Sequence, residues 1–285
     1  METFKKYVIV CLAAALMLLS AACTREYDED RKFAYIDMMS NEIIIDTVKG
    51  GDAESIYSIP LAASIYSISS SPAADKIYFG LTESGPLHSV CVINTDGTGF
   101  RRIYTATTFV STLSVSPSGK YIGFVDSGNL VIINSDGVLA NSIAITVPMI
   151  ITMSINEPYL YAKDGSSNLM RYNFLTGSST MVINASFGYD CIASLMPDTD
   201  TVAGMTNGDL NTLYLTHLDG DSVISSNTIT VAGAGAVDYF SFSPDGRIYA
   251  GSNLGGQIRL YNLDDGSLIR YISNAWQPAF IGRPK

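Results

Sequence analysis

A short turn motif recurs about every 40 residues along this 285-residue chain and limits its fold more than any other feature. In each copy an apolar run ends in Asn, or once in His, and a Gly follows three or four residues later. The copies begin at Asn94, Asn134, Asn173, His217 and Asn262, at spacings of 40, 39, 44 and 45 residues. A near-constant period of this size is typical of stacked supersecondary units, here the blades of a β-propeller.

The clearest copy runs from Phe109 to Ile145 and contains four short strand-like segments joined by tight turns. Its last turn holds Asp136-Gly137, a pair that suits a two-residue hairpin because such turns need positive φ. The same order recurs over residues 236–272, more weakly over 68–104 and 192–230, and in a divergent form over 148–183. These segments predict five complete blades.

The two ends of the chain supply a sixth blade. Strand-like segments at 32–36, 42–46 and 55–59 lack a first strand, and the segment 277–281 is left over at the C-terminus. Pairing the two sets removes an exposed strand edge. The sequence therefore predicts an all-β, six-bladed β-propeller with four-stranded antiparallel blades, closed by the C-terminal strand in the N-terminal blade, as one domain over residues 33–285.

Residues 1–22 have the pattern of a secretory signal peptide. Lys5 and Lys6 precede an apolar run from Tyr7 to Leu19, and small residues follow. The apolar run is shorter than the roughly 20 residues that a membrane-spanning helix needs. The segment should therefore be removed from the mature chain.

Cys23 directly follows the small residues Ser20–Ala22, an arrangement that resembles a bacterial lipobox. The resemblance implies that Cys23 carries acyl chains such as palmitate and that polar residues 23–32 tether the domain to a membrane. By the same resemblance, Thr24 favours the outer membrane. The alternative is an ordinary cleaved signal followed by an incidental cysteine.

Charge excludes some partners. Removing the signal takes away two lysines and one glutamate, so the formal charge of −10 becomes −11. An acidic domain without a basic cluster is a poor ligand for nucleic acid and is repelled by anionic lipid. The lipid anchor would thus provide the membrane attachment.

Residues for catalysis are scarce. The sequence has two histidines and no Ser-His-Asp, HExxH or CxxC arrangement, so it predicts no catalytic residue, no metal site and no cofactor. We expect His217 to cap its turn. Cys91 and Cys191 fall in separate blades, which favours two buried thiols over a disulfide.

Candidate ligand-binding residues lie where the innermost strands begin and where the second and third strands join, around the central channel. A rim of acids and tyrosines there could bind a cation or a sugar, and the alternative is a solvated loop. The candidates are Asp190, Asp238, Tyr189, Tyr239, Asp126, Asp164 and Asp209.

The Ser-Pro-[Asp/Ser]-Gly turns and the segment Cys91–Ile103 resemble the repeats of TolB-like and WD40-like six-bladed propellers. The resemblance implies a periplasmic or surface protein that acts mainly through protein contacts. We therefore expect a monomeric, non-enzymatic, lipid-anchored cell-envelope module that binds another envelope protein or a ligand. The alternatives are a calcium-dependent propeller enzyme of the lactonase or lyase type and a carbohydrate-binding surface lipoprotein.

Overall fold

The computed structural model describes residues 28–282, apart from 72–74, 86, 146–150, 155, 165, 167, 185–190, 196–200, 207–208, 232–238 and 254. Over this part the chain forms 24 strands and no helix. The strands are β1 (Lys32–Asp37), β2 (Glu42–Thr47), β3 (Glu54–Ser58), β4 (Ser64–Ser71), β5 (Lys76–Glu83), β6 (Leu87–Asn94), β7 (Arg101–Ala106), β8 (Leu113–Val115), β9 (Tyr121–Asp126), β10 (Asn129–Asn134), β11 (Leu139–Ala144), β12 (Ile151–Met153), β13 (Tyr159–Lys163), β14 (Leu169–Asn173), β15 (Ser179–Ile183), β16 (Cys191–Leu195), β17 (Thr201–Thr206), β18 (Asp209–Asp219), β19 (Ser222–Thr230), β20 (Tyr239–Phe242), β21 (Ile248–Asn253), β22 (Gln257–Asn262), β23 (Leu268–Ser273) and β24 (Ala275–Phe280).

These strands make six four-stranded antiparallel sheets, so the predicted six-bladed propeller is confirmed. Blades 1 to 5 take four consecutive strands each, from β4–β7 to β20–β23. The closing blade has the order β24-β1-β2-β3. Each innermost strand contacts the innermost strand of the next blade, in the order β4, β8, β12, β16, β20, β24 and back to β4.

The ring closes as predicted, by pairing the two ends of the chain. Phe33 lies opposite Phe280 and Ala34 opposite Ala279 in the antiparallel pair of β1 and β24. β24 begins at Ala275, two residues before the predicted strand. Its pairing covers the edge of β1 that would otherwise be exposed.

The core consists of apolar layers between neighbouring blades. On β5, Ile77, Phe79 and Leu81 pack toward the closing blade, whereas Tyr78 packs toward blade 2. Comparable layers occupy the remaining seams around the ring. Because both faces of a blade are buried, its middle strands are almost continuously apolar instead of alternating.

The turn motif forms the hairpin between the third and fourth strands of a blade. In blade 2 the Asn134 Oδ1 accepts hydrogen bonds from Asp136 N at 3.0 Å and Val138 N at 2.9 Å. Gly137 follows with a φ of 89°. Asn therefore satisfies the turn N–H groups and Gly supplies the left-handed conformation.

The two ends of the ring are named here by their loops. The entry face is the end where the innermost strands begin; the tether face is the opposite end. The described residues of the connections at the entry face are 38–41, 59–63, 84–85, 107–112, 127–128, 145, 164, 166, 168, 184, 231, 255–256 and 274.

The start of the described chain packs on the tether face. Val48 N donates to Arg31 O and Lys49 N to Glu29 O, each at 3.0 Å. The buried Arg31 guanidinium lies 3.7 Å from Asp28 and from Asp245 in blade 5. The packed chain thus begins before residue 33.

Within the described chain, no helix is long and apolar enough to cross a membrane.

Candidate functional site

The entry face collects those predicted ligand-binding residues that the structure describes. Asp126 ends β9, Asp164 follows β13, Asp209 begins β18 and Tyr239 begins β20. They belong to four different blades, 2 to 5. Cys23, Tyr189, Asp190 and Asp238 lie outside the described residues.

Asp126 joins two blades. Its carboxylate is buried and accepts hydrogen bonds from Thr107 N at 2.9 and 3.0 Å and from Thr108 N at 2.9 Å. Thr108 Oγ1 donates a further bond at 3.1 Å. Both threonines belong to the connection between blades 1 and 2, so this carboxylate holds that connection against blade 2.

Asp164 closes its own loop. It accepts hydrogen bonds from Ser166 N at 2.9 Å, Asn168 N at 2.8 Å and Asn168 Nδ2 at 3.0 Å. Desolvation acts to raise the pKa of Asp164, but the hydrogen bonds from Asn168 and Ser166 outweigh it and lower the pKa. The carboxylate is therefore ionised at neutral pH.

A cavity of about 260 Å³ lies beside Asp164, in the seam between blades 2 and 3. Ile143, Ala144 and Ile145 line it from blade 2. Blade 3 contributes Asp164, Ser166, Tyr172, Gly177 and Ser179. The seam beside Asp164 thus contains a cavity, whereas in the seam between blades 1 and 2 the carboxylate of Asp126 binds the connection itself.

Tyr239 packs on the only tryptophan of the chain. Its ring lies 5.2 Å from the Trp276 ring in an edge-on arrangement. Trp276 lies opposite Ile36 and packs into the layer between the closing blade and blade 1. Tyr239 thus supports the closing strand from blade 5.

Gln277, which sequence reasoning did not select, is a buried polar residue on the innermost strand. Its side chain is 2% exposed and its φ is 52°. Its Nε2 donates to Tyr66 O at 2.5 Å, and its N donates to Ser252 Oγ at 3.2 Å. It therefore links the innermost strands of the closing blade and blade 1.

The two histidines bond to threonines across strand pairs. His88 Nδ1 lies 2.9 Å from Thr82 Oγ1, and His217 Nδ1 lies 2.7 Å from Thr201 Oγ1. The expectation that His217 caps its turn was wrong, because its ring turns toward the opposite strand of the pair.

The Asp-Gly pairs serve their own hairpins. Asp96 Oδ1 accepts hydrogen bonds from Thr98 N at 2.9 Å and Thr98 Oγ1 at 2.6 Å. These bonds lower the pKa of Asp96. Among the described residues, no three or more His, Cys, Asp or Glu side chains lie close enough together to hold a metal ion.

Four exposed apolar side chains stand on the entry face, and sequence reasoning missed them. Met38 is 53% exposed, Met39 78%, Leu61 103% and Phe109 53%; these four residues are called the apolar patch below. The only sequence signal was their position in loops that carry no basic residue.

Hydrogen bonds and ring contacts connect the loops that carry the patch. Asn41 Nδ2 donates to Ile59 O at 2.9 Å, and Ile59 N donates to Asn41 O at 2.8 Å. The Phe109 ring lies 5.4 Å from that of Tyr66 on β4. The three loops therefore lie side by side over the closing blade and blade 1.

The two faces differ sharply in charge. The described residues of the entry-face connections include no Lys, Arg or His, and their only acid is Asp164. The described residues of the eleven tether-face connections include nine acidic and three basic residues. The described entry-face loops are thus nearly uncharged, and the charged residues of this face, such as Asp37, Glu83, Asp126 and Lys163, lie at the adjoining strand ends.

A scan against protein-family models gives no match, and neither does a search of curated proteins. Among solved structures, the chain is similar to TolB from Acinetobacter baumannii, with a TM-score of 0.69 and 17% sequence identity. The similarity covers 92% of this chain and 69% of that one. The strand order, the closed ring and this similarity together establish that the chain has the fold of a TolB-like six-bladed β-propeller.

Proposed function

We propose that this protein is a non-enzymatic, lipid-anchored propeller of the bacterial cell envelope that acts through contacts with another protein. The proposal rests on one observation, that the described carboxylates of the entry face are bound by the protein's own backbone. The carboxylates of Asp126 and Asp164 accept hydrogen bonds from the fold's own N–H groups, while large apolar side chains stand exposed elsewhere on the same face. Such a surface favours protein contact over acid–base chemistry.

The start of the chain supports an anchor close to the bilayer. Asp28 to Arg31 pack on the tether face, which leaves four residues between Cys23 and Asp28. Five extended residue steps span at most about 18 Å. Acyl chains on Cys23, at about 0.8 kcal/mol for each buried methylene, would hold the tether face near the membrane, with the outer membrane favoured by Thr24.

The anchor is tested by metabolic labelling with an alkyne analogue of palmitate, followed by membrane fractionation. The natural chain should be labelled and sediment with membranes. The Cys23→Ser variant should lose the label and be released, whereas Cys91→Ser, a matched control at another cysteine, should keep both properties. An unlabelled natural chain would refute the lipid anchor.

The calcium-dependent alternative has its own test. Thermal unfolding of the purified mature chain carrying Cys23→Ser is followed in EDTA and in millimolar calcium. We expect the same midpoint in both, because the described residues include no cluster of acidic side chains that could hold the ion. If calcium did bind, a concentration a hundredfold above its dissociation constant would add about 2.7 kcal/mol to the free energy of unfolding. A saturable rise of several degrees would favour the enzyme.

A further inference from the structure

We infer that the apolar patch (Met38, Met39, Leu61 and Phe109) is the docking surface for a protein partner whose contact segment combines large apolar side chains with lysine or arginine. The inference rests on the proposed function and names the face and the partner chemistry. Phe109 contacts Tyr66 and Met38 lies beside Gly256, yet both side chains remain about half exposed, and Leu61 is fully exposed.

The shape of the patch suits a docking surface. Met39 and Leu61 project from adjoining loops, joined by the two hydrogen bonds between Asn41 and Ile59. Phe109 stands on Tyr66 of the neighbouring innermost strand. Aromatic and methionine side chains are enriched in the buried centres of protein interfaces, and methionine adapts to the shape of a partner.

The charges around the patch select the partner. The three described loops that carry the patch contain no charged residue, and charged side chains are depleted from the centres of interfaces. Asp37, next to the patch, already accepts hydrogen bonds from Met39 N at 2.8 Å and Ser40 N at 3.1 Å. Since the charged residues on either side of the 38–41 loop, Asp37 and Glu42, are both acidic, complementarity calls for basic residues beside the partner's apolar ones.

The position of the chain start argues against the bilayer as the occupant. The described chain begins on the tether face, and the innermost strand β4, with eight residues, separates the two faces by about 26 Å. An anchored propeller therefore directs the apolar patch away from the membrane. No described residue of the entry-face loops is basic, so these loops also lack the usual attraction to anionic lipid.

A second copy of the chain is also a poor occupant. A second copy would place its own Asp37, and the same loops in which no described residue is basic, against the patch. Like charges across an interface disfavour the pairing.

The test selects partners from a phage-displayed library of random 16-residue peptides, using the purified mature chain carrying Cys23→Ser. Enriched peptides should combine aromatic or aliphatic residues with Lys or Arg, and their affinity should fall several-fold when salt is raised. The double variant Leu61→Asp with Phe109→Asp should weaken them about tenfold or more. Ile224→Asp is the matched control, because Ile224 is 66% exposed on an outer strand of blade 4.

Circular dichroism and the urea midpoint establish that each variant is folded, and Leu61→Ser with Phe109→Ser replaces the double variant if it is not. Peptides that bind both variants equally, or that are acidic, would overturn the inference. The inference would also be overturned if light scattering showed that the natural chain is a dimer and that the double variant is a monomer. Loss of acylation at Cys23 would refute the anchor without changing these affinities, so the two failures are distinguishable.

Discussion

The glycines of the repeated turn have a second contact that their own hairpins do not require. A Cβ added to Gly137 would lie 1.8 Å from Ile103 O, and one added to Gly266 would lie 2.0 Å from Thr230 O. Ile103 and Thr230 lie on the outer strands of the preceding blades. At these two positions the turn therefore needs glycine for its positive φ and for close approach to the neighbouring blade.

Gly137→Ala should accordingly destabilise the protein more than Gly177→Ala. Both residues have positive φ, but a Cβ at Gly177 meets nothing closer than Ile143 at 4.0 Å. We expect Gly177→Ala to cost about 1 kcal/mol and Gly137→Ala about 2–4 kcal/mol, because overpacking adds to the backbone penalty. Urea unfolding measures both, and equal costs would contradict the contact with blade 1.

Cys91 is free and buried, as predicted, and the burial changes its titration. Desolvation, which outweighs the nearby Arg102 charge, raises the pKa of the Cys91 thiol from 9.0 to about 12. The folded protein keeps the proton above pH 9, whereas the unfolded chain releases it. Stability from this group is therefore complete below pH 9 and is lost as pH rises toward 12.

Cys91→Ala should remove this contribution to the pH dependence. Between pH 9 and 11 the free energy of unfolding of the natural chain should fall more steeply than that of the variant, by up to about 1.4 kcal/mol per pH unit. The comparison uses slopes, since the smaller side chain also lowers stability at every pH. Parallel slopes would show that the thiol is accessible to water.

At the scale of the elements, single polar groups hold neighbouring blades together. Arg270 on β23 donates from one nitrogen to Thr47 O at 2.8 Å and from another to Asp46 Oδ2 at 2.7 Å. Asp46 lies in the closing blade and is fully buried. This ion pair therefore joins blade 5 to the closing blade inside a seam.

Arg270→Gln should cost about 3 kcal/mol or more, because it leaves the buried Asp46 carboxylate without its charge partner. Arg102→Gln is the matched control. Its pair with Glu83 is at the surface, with Arg102 48% exposed, and should contribute at most about 1 kcal/mol. Chemical unfolding of the two variants tests the difference, and a similar loss in both would contradict the role of the seam.

Asp126 has the same kind of role between blades 1 and 2. Asp126→Asn would place an amide donor against the N–H groups of Thr107 or Thr108, at a cost of about 1–3 kcal/mol. Asp136→Asn, at an exposed turn position, should be nearly neutral. If Asp126→Asn left stability unchanged, Asp126 would again be a candidate for ligand binding.

At the scale of the whole molecule, the ring depends on one strand from the far end of the chain. β24 buries Ala279 and Phe280 against the closing blade and contacts the innermost strands on both sides. Without it, β1 would present an open edge and the channel would lose one wall. Ring closure is therefore a condition for the cooperative fold.

Truncation after Asn274 should abolish cooperative thermal unfolding and cause aggregation. Burial of the strand's larger apolar side chains contributes about 1.5–3 kcal/mol each, against a total stability of about 5–15 kcal/mol. Truncation after Gly282 keeps β24 and should unfold like the natural chain. A truncated chain that stays monomeric and unfolds in one transition would show that five blades are sufficient.

The sequence by itself determined the number of blades, their strand order and the closure of the ring, because the repeat defines five blades and the strand-like segments left at the two ends define the sixth. Those features follow from local chemistry, because Asn and Gly form the turns and the interval between successive turns has the length of four short strands. The sequence also placed Asp126, Asp164, Asp209 and Tyr239 at one end of the channel, because topology alone sends those loops there.

Only the tertiary structure decided which of those groups are already used by the fold. Asp126 is occupied because the preceding blade brings two backbone N–H groups to it, whereas the described N–H donors to Asp164, Ser166 and Asn168, belong to its own loop. The same holds for Gly137, whose second contact is a carbonyl oxygen from another blade. Exposure of the apolar patch is likewise a property of packed neighbours, which a turn motif does not encode.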